Sequence, residues 1–380
     1  MEQVTKQRSI PFIDLHAQQS RIRPSVEERI KKVLDHGKYI MGPEVKELEQ
    51  RLAEFVGVKH CVTCASGTDA LLMPLMAYEI GPGDAVFTTP FTFISTAEVI
   101  TLLGATPVFV DIDRQTYNID AAKLRDAVKK VTAQERLNPK GIIPVDLFGQ
   151  PADYEEIEHI AADFDLFVIE DAAQAFGAIY KNKHACSFGD VASTSFFPAK
   201  PFGCYGDGGA VFCDDDQMDE RLRSIRVHGQ GSDKYDNIRI GINGRFDTIQ
   251  AAVLLAKLEI FEDEIQLRDQ VAKRYSEKLA GSVVTPMVKA DRTSVWAQYS
   301  LLTENRDKLL EALKSSRIPT AIYYPKPLHL QEAYRSLGYR RGDFPVSEKI
   351  ADQIFSIPMH PYLSEEDQDF IVEAIKGLMG

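Results

Sequence analysis

No stretch of this sequence approaches the roughly 20 consecutive apolar residues that a membrane-spanning helix needs, so no membrane span is expected. The N-terminal residues Met1 to Ser9 are polar and mixed in charge, without an apolar core, which argues against a secretory signal. Runs of lysine and arginine are missing as well, and a formal net charge of −12 would repel a phosphate-coated polymer. Nucleic acid is therefore not an expected partner. Internal repeats and low-complexity tracts are absent. Five cysteines, an odd and small number in 380 residues, fit reduced thiols in a cytoplasm better than a disulfide framework. Cys61 and Cys64 have C-x-x-C spacing, but Cys186, Cys204 and Cys213 supply no second pair for zinc. A redox pair would open a helix, whereas these two sit in an apolar run and read as buried strand cysteines. No metal site is expected.

What is present is ordinary in bulk and ordered in detail. Hydrophobic residues make up 44% and charged residues 26%, typical of a globular protein, and 380 residues suggest a large domain with a smaller one. Short apolar runs (His60 to Cys64, Ala85 to Thr89, Pro107 to Asp111, Gly141 to Asp146, Leu166 to Ile169, Ser193 to Phe197, Gly209 to Cys213) read as strands. Between them lie helical patterns such as Val45 to Val56, Thr68 to Ala77, Ser95 to Leu103 and Tyr154 to Asp163. This alternation predicts an α/β large domain over residues 1–246, with a mostly parallel mixed sheet between helices. One long linking helix is expected across 247–280. Residues 281–380 read as a small α+β domain, with strands at Val295 to Leu302 and Thr320 to Tyr324 and helices near Asp307 and Ser364.

Four features fall at strand ends, where open α/β sheets gather ligands. The turn Ala65-Ser66-Gly67-Thr68 opens a helix, and its N–H groups with the Thr68 hydroxyl suit an anion, although such turns also merely cap helices. The strand Leu166 to Ile169 runs into Glu170-Asp171-Ala172-Ala173-Gln174, placing Asp171 at the rim as a helix cap or as the partner of a cationic ring nitrogen. Lys200 follows another strand among Phe197, Pro198 and Phe202, company that strips water from an ammonium and favours a nucleophilic amine. Gly203, Gly206, Gly208 and Gly209 crowd one loop, which suggests close backbone approach.

The strings Glu170-Asp171-Ala172-Ala173-Gln174, Ser195-Phe196-Phe197-Pro198-Ala199-Lys200 and Gly206-Asp207-Gly208-Gly209 together resemble the DegT/DnrJ/StrS family of sugar aminotransferases. The likeness runs from Ile13-Asp14-Leu15 to Pro358-Met359-His360-Pro361. It implies a fold-type I transferase dependent on pyridoxal 5'-phosphate (PLP), in which Lys200 forms the Schiff base and Asp171 pairs with the ring nitrogen. Gln174 would meet the phenolic oxygen and Phe93 would stack on the ring. Gly67, Thr68 and Ser195 would hold the phosphate. The resemblance also implies a homodimer with shared active sites, Asn243 reaching the neighbouring subunit's phosphate.

Within the family, His36 to Pro43, Lys200 to Gly206 and Leu258 to Phe261 are similar to the aminotransferases of UDP-2-acetamido-2-deoxy-3-oxo-glucuronate. That likeness implies glutamate as donor, a nucleotide-linked 3-oxo-sugar as acceptor, and a role in surface polysaccharide (O-antigen) synthesis. Its substrate contacts carry over to Gly37, Tyr39, Arg245 and Tyr324, with Tyr323 beside them; Ala199 and Tyr323 depart from the serine and histidine of that subgroup. Two alternatives stand at this point. One is a dTDP-linked 3-oxo- or 4-oxo-6-deoxyhexose as acceptor. The other is a non-catalytic regulatory or binding protein that kept the fold.

Overall fold

The computed structural model describes residues 9–233 and 235–379, with the backbone alone for residue 379. The N-terminal segment is therefore outside the described residues up to Arg8. The strands in chain order are β1 (His60–Cys64), β2 (Asp84–Thr88), β3 (Thr106–Phe109), β4 (Asn138–Ile142), β5 (Phe167–Asp171), β6 (Ile179–Tyr180), β7 (Lys183–His184), β8 (Val191–Ser195), β9 (Gly209–Cys213), β10 (Tyr299–Leu302) and β11 (Ile354–Ile357). Seven of them form one sheet in the order β1-β9-β8-β5-β4-β2-β3. Pairing is parallel from β3 through β8, and β9 runs antiparallel between β8 and β1. The expected mostly parallel mixed sheet is thus observed. Apolar residues on both faces explain its place between layers of helix: Val62, Val86, Ile169 and Val211 pack in one cluster, Ala85, Phe87, Ile142 and Val168 in another.

β1 is an edge strand, and side chains close its free edge. The Thr63 N–H donates to Glu49 Oε1 at 3.0 Å. Arg223 reaches the Cys61 carbonyl at 3.2 Å and Arg226 the Thr63 carbonyl at 2.8 Å. Both guanidiniums also hold Glu49, at 2.8 and 2.6 Å. An ionic network here takes the place of another strand, which guards the edge against pairing with a second chain. A groove of about 660 Å³ runs along it, lined by Glu49, His60, Cys61, Arg223 and Arg226, away from the strand ends that carry the candidate residues.

Two expectations need correction. The segment expected as one linking helix is two, Thr248–Leu258 and Phe261–Leu279. Between them the Ile260 N–H closes a tight turn on the Lys257 carbonyl at 3.1 Å, and Ile260 sits at φ −117, ψ 0. Neither glycine nor proline marks the break. It is set by packing, since Phe261 stacks into the aromatic cluster of Phe55, Phe176 and Phe202. The second helix then gives Val271, Ala272, Tyr275 and Leu279 to the C-terminal core with Tyr299, Leu301 and Phe355. Thr320 to Tyr324 is not a strand. β10 pairs instead with β11, and Ala321 touches Ser356 by one isolated bridge before Tyr324 turns left-handed at φ 56. No helix among the described residues is long and apolar enough to cross a membrane.

The Glu49 network predicts an acid-labile edge. Burial raises the Glu49 pKa, but Arg226 and Arg223 outweigh it and hold the carboxyl below its ordinary value. Its stabilisation is therefore complete above the unfolded value near 4.3 and is lost as pH falls through the lower folded value. Glu49→Gln should cost about 3–5 kcal/mol near neutral pH, because the buried Arg226 guanidinium loses its counter-charge. Urea unfolding at pH 7 and pH 3 measures this. A variant as stable as the parent at pH 7 would contradict it.

Candidate active site

The carboxyl ends of β1, β2, β5 and β8 meet at one rim of the sheet, and β9 starts there. Gly209 faces Cys64 on one side and Ser195 on the other. A Cβ at Gly209 would fall 2.4 Å from the Ser66 carbonyl oxygen, and one at Gly67 would fall 2.6 Å from the Ser195 Cβ. Glycine at both places lets three chain segments close on one another. The helix Gly67–Ala77 opens at this point, with Ser66 capping it by accepting from the Asp69 N–H at 3.1 Å. Helix N–H groups, Thr68 and the Ser195 hydroxyl thus converge, the donor set that an anion requires.

Lys200 stands in the turn after β8. Its N–H donates to the Phe197 carbonyl at 2.9 Å, and the loop is tied at both ends by Phe196, whose N–H reaches Gly208 and whose carbonyl accepts from Cys204. Phe202 anchors the loop in the core against Phe176 and Phe261. The Lys200 side chain keeps a partial opening to solvent, yet the surrounding atoms exclude enough water to lower its ammonium pKa, with Asp171 pulling the other way. Asp171 is buried at the end of β5, and burial raises its pKa against the opposing hydrogen bonds and Lys200. The Thr96 hydroxyl donates to Asp171 Oδ2 at 2.8 Å and the Ala173 N–H to Oδ1 at 3.2 Å. Each oxygen keeps capacity for a further donor.

Behind Asp171, Glu170 points to the opposite face and accepts from the Cys186 and Phe188 N–H groups at 2.8 and 2.9 Å. Asp146 is buried nearby, and burial pushes its carboxyl up to about 7 and that of Glu170 well above its ordinary value. Gln174 is buried three residues past Asp171 and links Phe148 to Tyr324. Phe93 is 58% exposed and has no ring partner among the described residues, whereas Phe91 beside it is buried.

The structure therefore brings Gly67, Thr68, Asp171, Ser195 and Lys200 to one rim, with Gln174 and Tyr324 joined beside Asp171. Tyr323 packs with Phe148 and Tyr324. The remaining candidates lie on a neighbouring ribbon. Ala65 donates to the Gly244 carbonyl at 3.1 Å, Met41 to Phe246 at 3.2 Å and Thr248 to Tyr39 at 2.9 Å. Exposure alternates along this extended segment: Asn243 and Arg245 are exposed while Gly244 and Phe246 are buried. Arg245 forms no ion pair among the described residues, so the alternative of a pairing with Asp247 is not observed. Gly37 caps the helix Leu15–His36 at φ 69, and Tyr39 is 49% exposed.

Thr96 and Phe148 were not singled out in the sequence. Thr96 lies in the first turn of the helix Ser95–Leu102, just past Phe91-Thr92-Phe93, a nearness that was readable; Phe148 acts through its backbone N–H, which no residue type announces. Among the described residues no group of His, Cys, Asp or Glu is placed to hold a metal ion.

The model of the DegT/DnrJ/EryC1/StrS aminotransferase family matches residues 20–376. The chain is 49% identical over 367 residues to the UDP-2-acetamido-2-deoxy-3-oxo-D-glucuronate aminotransferase of Pseudomonas aeruginosa, covering 96% of this chain and 99% of that protein. It is 42% identical to a pleiotropic regulatory protein of Geobacillus stearothermophilus, over 97% of this chain and 98% of the relative. Among solved structures, a DegT DnrJ EryC1 StrS aminotransferase from Brucella abortus superposes with a TM-score of 0.96 at 53% identity, over 98% of this chain and 100% of the other. A protein described as a sugar aminotransferase from Streptococcus pneumoniae, in its PLP form, superposes with a TM-score of 0.86 at 27% identity, over 94% and 96%.

Proposed function

Given that the chain belongs to the DegT/DnrJ/EryC1/StrS aminotransferase family, we propose that it moves an amino group from glutamate to a nucleotide-linked 3-oxo-sugar. UDP-2-acetamido-2-deoxy-3-oxo-glucuronate is the acceptor this reading favours, in the making of surface polysaccharide. The observation that carries the reading is Lys200, a partly enclosed amine with lowered pKa, opposed by the buried Asp171 at the meeting of the strand ends.

The enzyme is PLP-dependent, and the residues present fit that group. The crowded turn around Gly67 and Ser195 offers anion donors at one end of the rim, and a buried carboxylate with spare acceptor capacity stands at the other. In this role the N–H groups opening the helix Gly67–Ala77, with Thr68 and Ser195, would hold the phosphate; Phe93 would cover the ring and Gln174 would meet its oxygen. Bound PLP supplies an electron sink through its ring. Asp171, buried and with each oxygen able to accept a further donor, would face the cationic ring nitrogen and keep that nitrogen protonated. Burial of Lys200 eases loss of its ammonium proton, which favours the amine as nucleophile, and its Nζ would carry the proton to and from the donor's α-carbon. The second half of the cycle runs the same proton movements in reverse. The complete set Lys200, Asp171, Gln174 and Ser195 favours this over a non-catalytic relative.

Substrate recognition would fall to Gly37, Tyr39, Arg245, Tyr323 and Tyr324, and Asn243 would reach a second subunit's phosphate. Exposed Ile40, Ile238 and Ile240 near that ribbon support a homodimer, since a monomer would leave them to water. Light scattering should give twice the chain mass or more; a monomer that is fully active would end the shared-site reading.

An unpaired, exposed Arg245 suits the carboxylate of a uronate. Amino transfer from glutamate, followed as aminated sugar on 3-oxo and 4-oxo nucleotide sugars, tests the proposal. The 3-oxo-uronate should be preferred, and Arg245→Lys should lower its kcat/KM relative to a neutral 3-oxo-6-deoxysugar by roughly ten- to a hundredfold, for a contact of about 1.5–3 kcal/mol. Equal losses on both sugars would make Arg245 structural. Preference of the parent enzyme for the neutral dTDP-sugar would reject the uronate.

A further inference from the structure

The Gln174 carboxamide is held at both ends. Its Oε1 accepts the Phe148 backbone N–H at 2.8 Å, and its Nε2 donates to the Tyr324 hydroxyl oxygen at 2.7 Å. A backbone N–H can only donate, so the first bond fixes which end of the amide is oxygen and which is nitrogen. One of the two Nε2 protons goes to Tyr324, and the second remains uncommitted. Tyr324, as the acceptor, keeps its own proton to give elsewhere.

The partners on either side stand in strained backbone. Phe148 has φ 58, ψ 8, and Tyr324 has φ 56, in the left-handed region that side chains avoid. Such conformations persist where the surroundings over-determine them, and they gather at functional sites. The Tyr324 ring is correspondingly clamped: Phe91 meets it edge-on with centroids 5.6 Å apart, and Phe148 stacks on it at 6.2 Å and 20°. Two distant pieces of chain, one after β4 and one after the helix Arg306–Ser315, are thus bent to meet one amide. An amide that served only packing would not need both.

We propose that Tyr324 is a positioning residue for the cofactor as well as a candidate sugar contact: it holds the Gln174 carboxamide so that the free Nε2 proton is presented to the ring oxygen of PLP. This rests on the reading that Gln174 meets that oxygen. Burial pushes the Tyr324 phenol above its ordinary range, so its hydroxyl stays neutral and can keep accepting throughout the working pH. Phe148 would orient the oxygen end, and the small C-terminal region would thereby help to set the electronics of a ring held by the large one.

The test uses PLP-loaded protein without any sugar or glutamate, and reads the pH midpoint of its visible absorption band. An N–H donated to the ring oxygen draws charge from it and loosens its hold on the proton at the nitrogen joining cofactor and lysine. Losing that donor should raise the midpoint. Gln174→Met, similar in length, should raise it by about one pH unit, the scale of one hydrogen bond to a charged group. Tyr324→Phe should move it in the same direction and by less. The double variant should match Gln174→Met alone, because Tyr324 acts through Gln174. A Tyr324→Phe midpoint equal to the parent, with only the sugar KM changed, would overturn the proposal and leave Tyr324 as a substrate contact. Additive shifts in the double variant would overturn it also, by making Tyr324 act independently. An unmoved midpoint in Gln174→Met would remove the underlying reading of Gln174, an outcome distinct from both.

Discussion

Lys200 and Asp171 oppose each other at the rim of the sheet, the first partly open to solvent and the second buried, and much of the large domain holds that opposition in place. Burial works against the charge on both residues, lowering one pKa and raising the other, while each favours the charged form of its partner. In open water the two would simply be ionised and screened. Here the amine is brought toward its neutral, reactive form, and the carboxylate is ready to be completed by a cation. The pair sits where it does because parallel strands deliver their carboxyl ends to a single edge.

Holding two half-desolvated groups steady requires a rigid frame. Glu170, held by the Cys186 and Phe188 N–H groups, fixes the strand behind Asp171. Glycines at 67 and 209 let the turn that opens the helix Gly67–Ala77 close against β8 and β9. The sheet's free edge at β1 is finished by an ionic network rather than by another strand. Each feature contributes little to chemistry directly. Together they keep the rim from relaxing.

Much of this was legible in the chain. β1 and β9 were bounded as observed, because apolar runs ended abruptly in Ser66-Gly67 and Asp214-Asp215. Asp171 and Lys200 stood out because each lies at the end of an apolar strand, although Asp171 alone could equally cap a helix, and the family likeness gave both their roles. Where reading failed, the cause was tertiary. The helix break at Leu258–Phe261 carries no breaker residue and follows from where Phe261 finds its aromatic neighbours. Tyr323 and Tyr324 looked like a half-buried strand, but clamping by Phe91 and Phe148 forces Tyr324 into left-handed backbone. β11 was overlooked because Ile354–Ile357 follows a helix without a turn signal. The likeness to a family supplied roles that residue patterns alone left open, above all at Gln174 and Asn243.

The central claim is that the enclosed lysine at this rim, and no other, joins the protein to its cofactor. Protein loaded with PLP, reduced with borohydride, digested and weighed peptide by peptide, tests it directly. The pyridoxyl mass should appear on the peptide carrying Lys200 and vanish in Lys200→Ala. The same mass on Lys257, another lysine whose pKa burial lowers, to about 8, or on any exposed lysine in place of Lys200, would contradict the account.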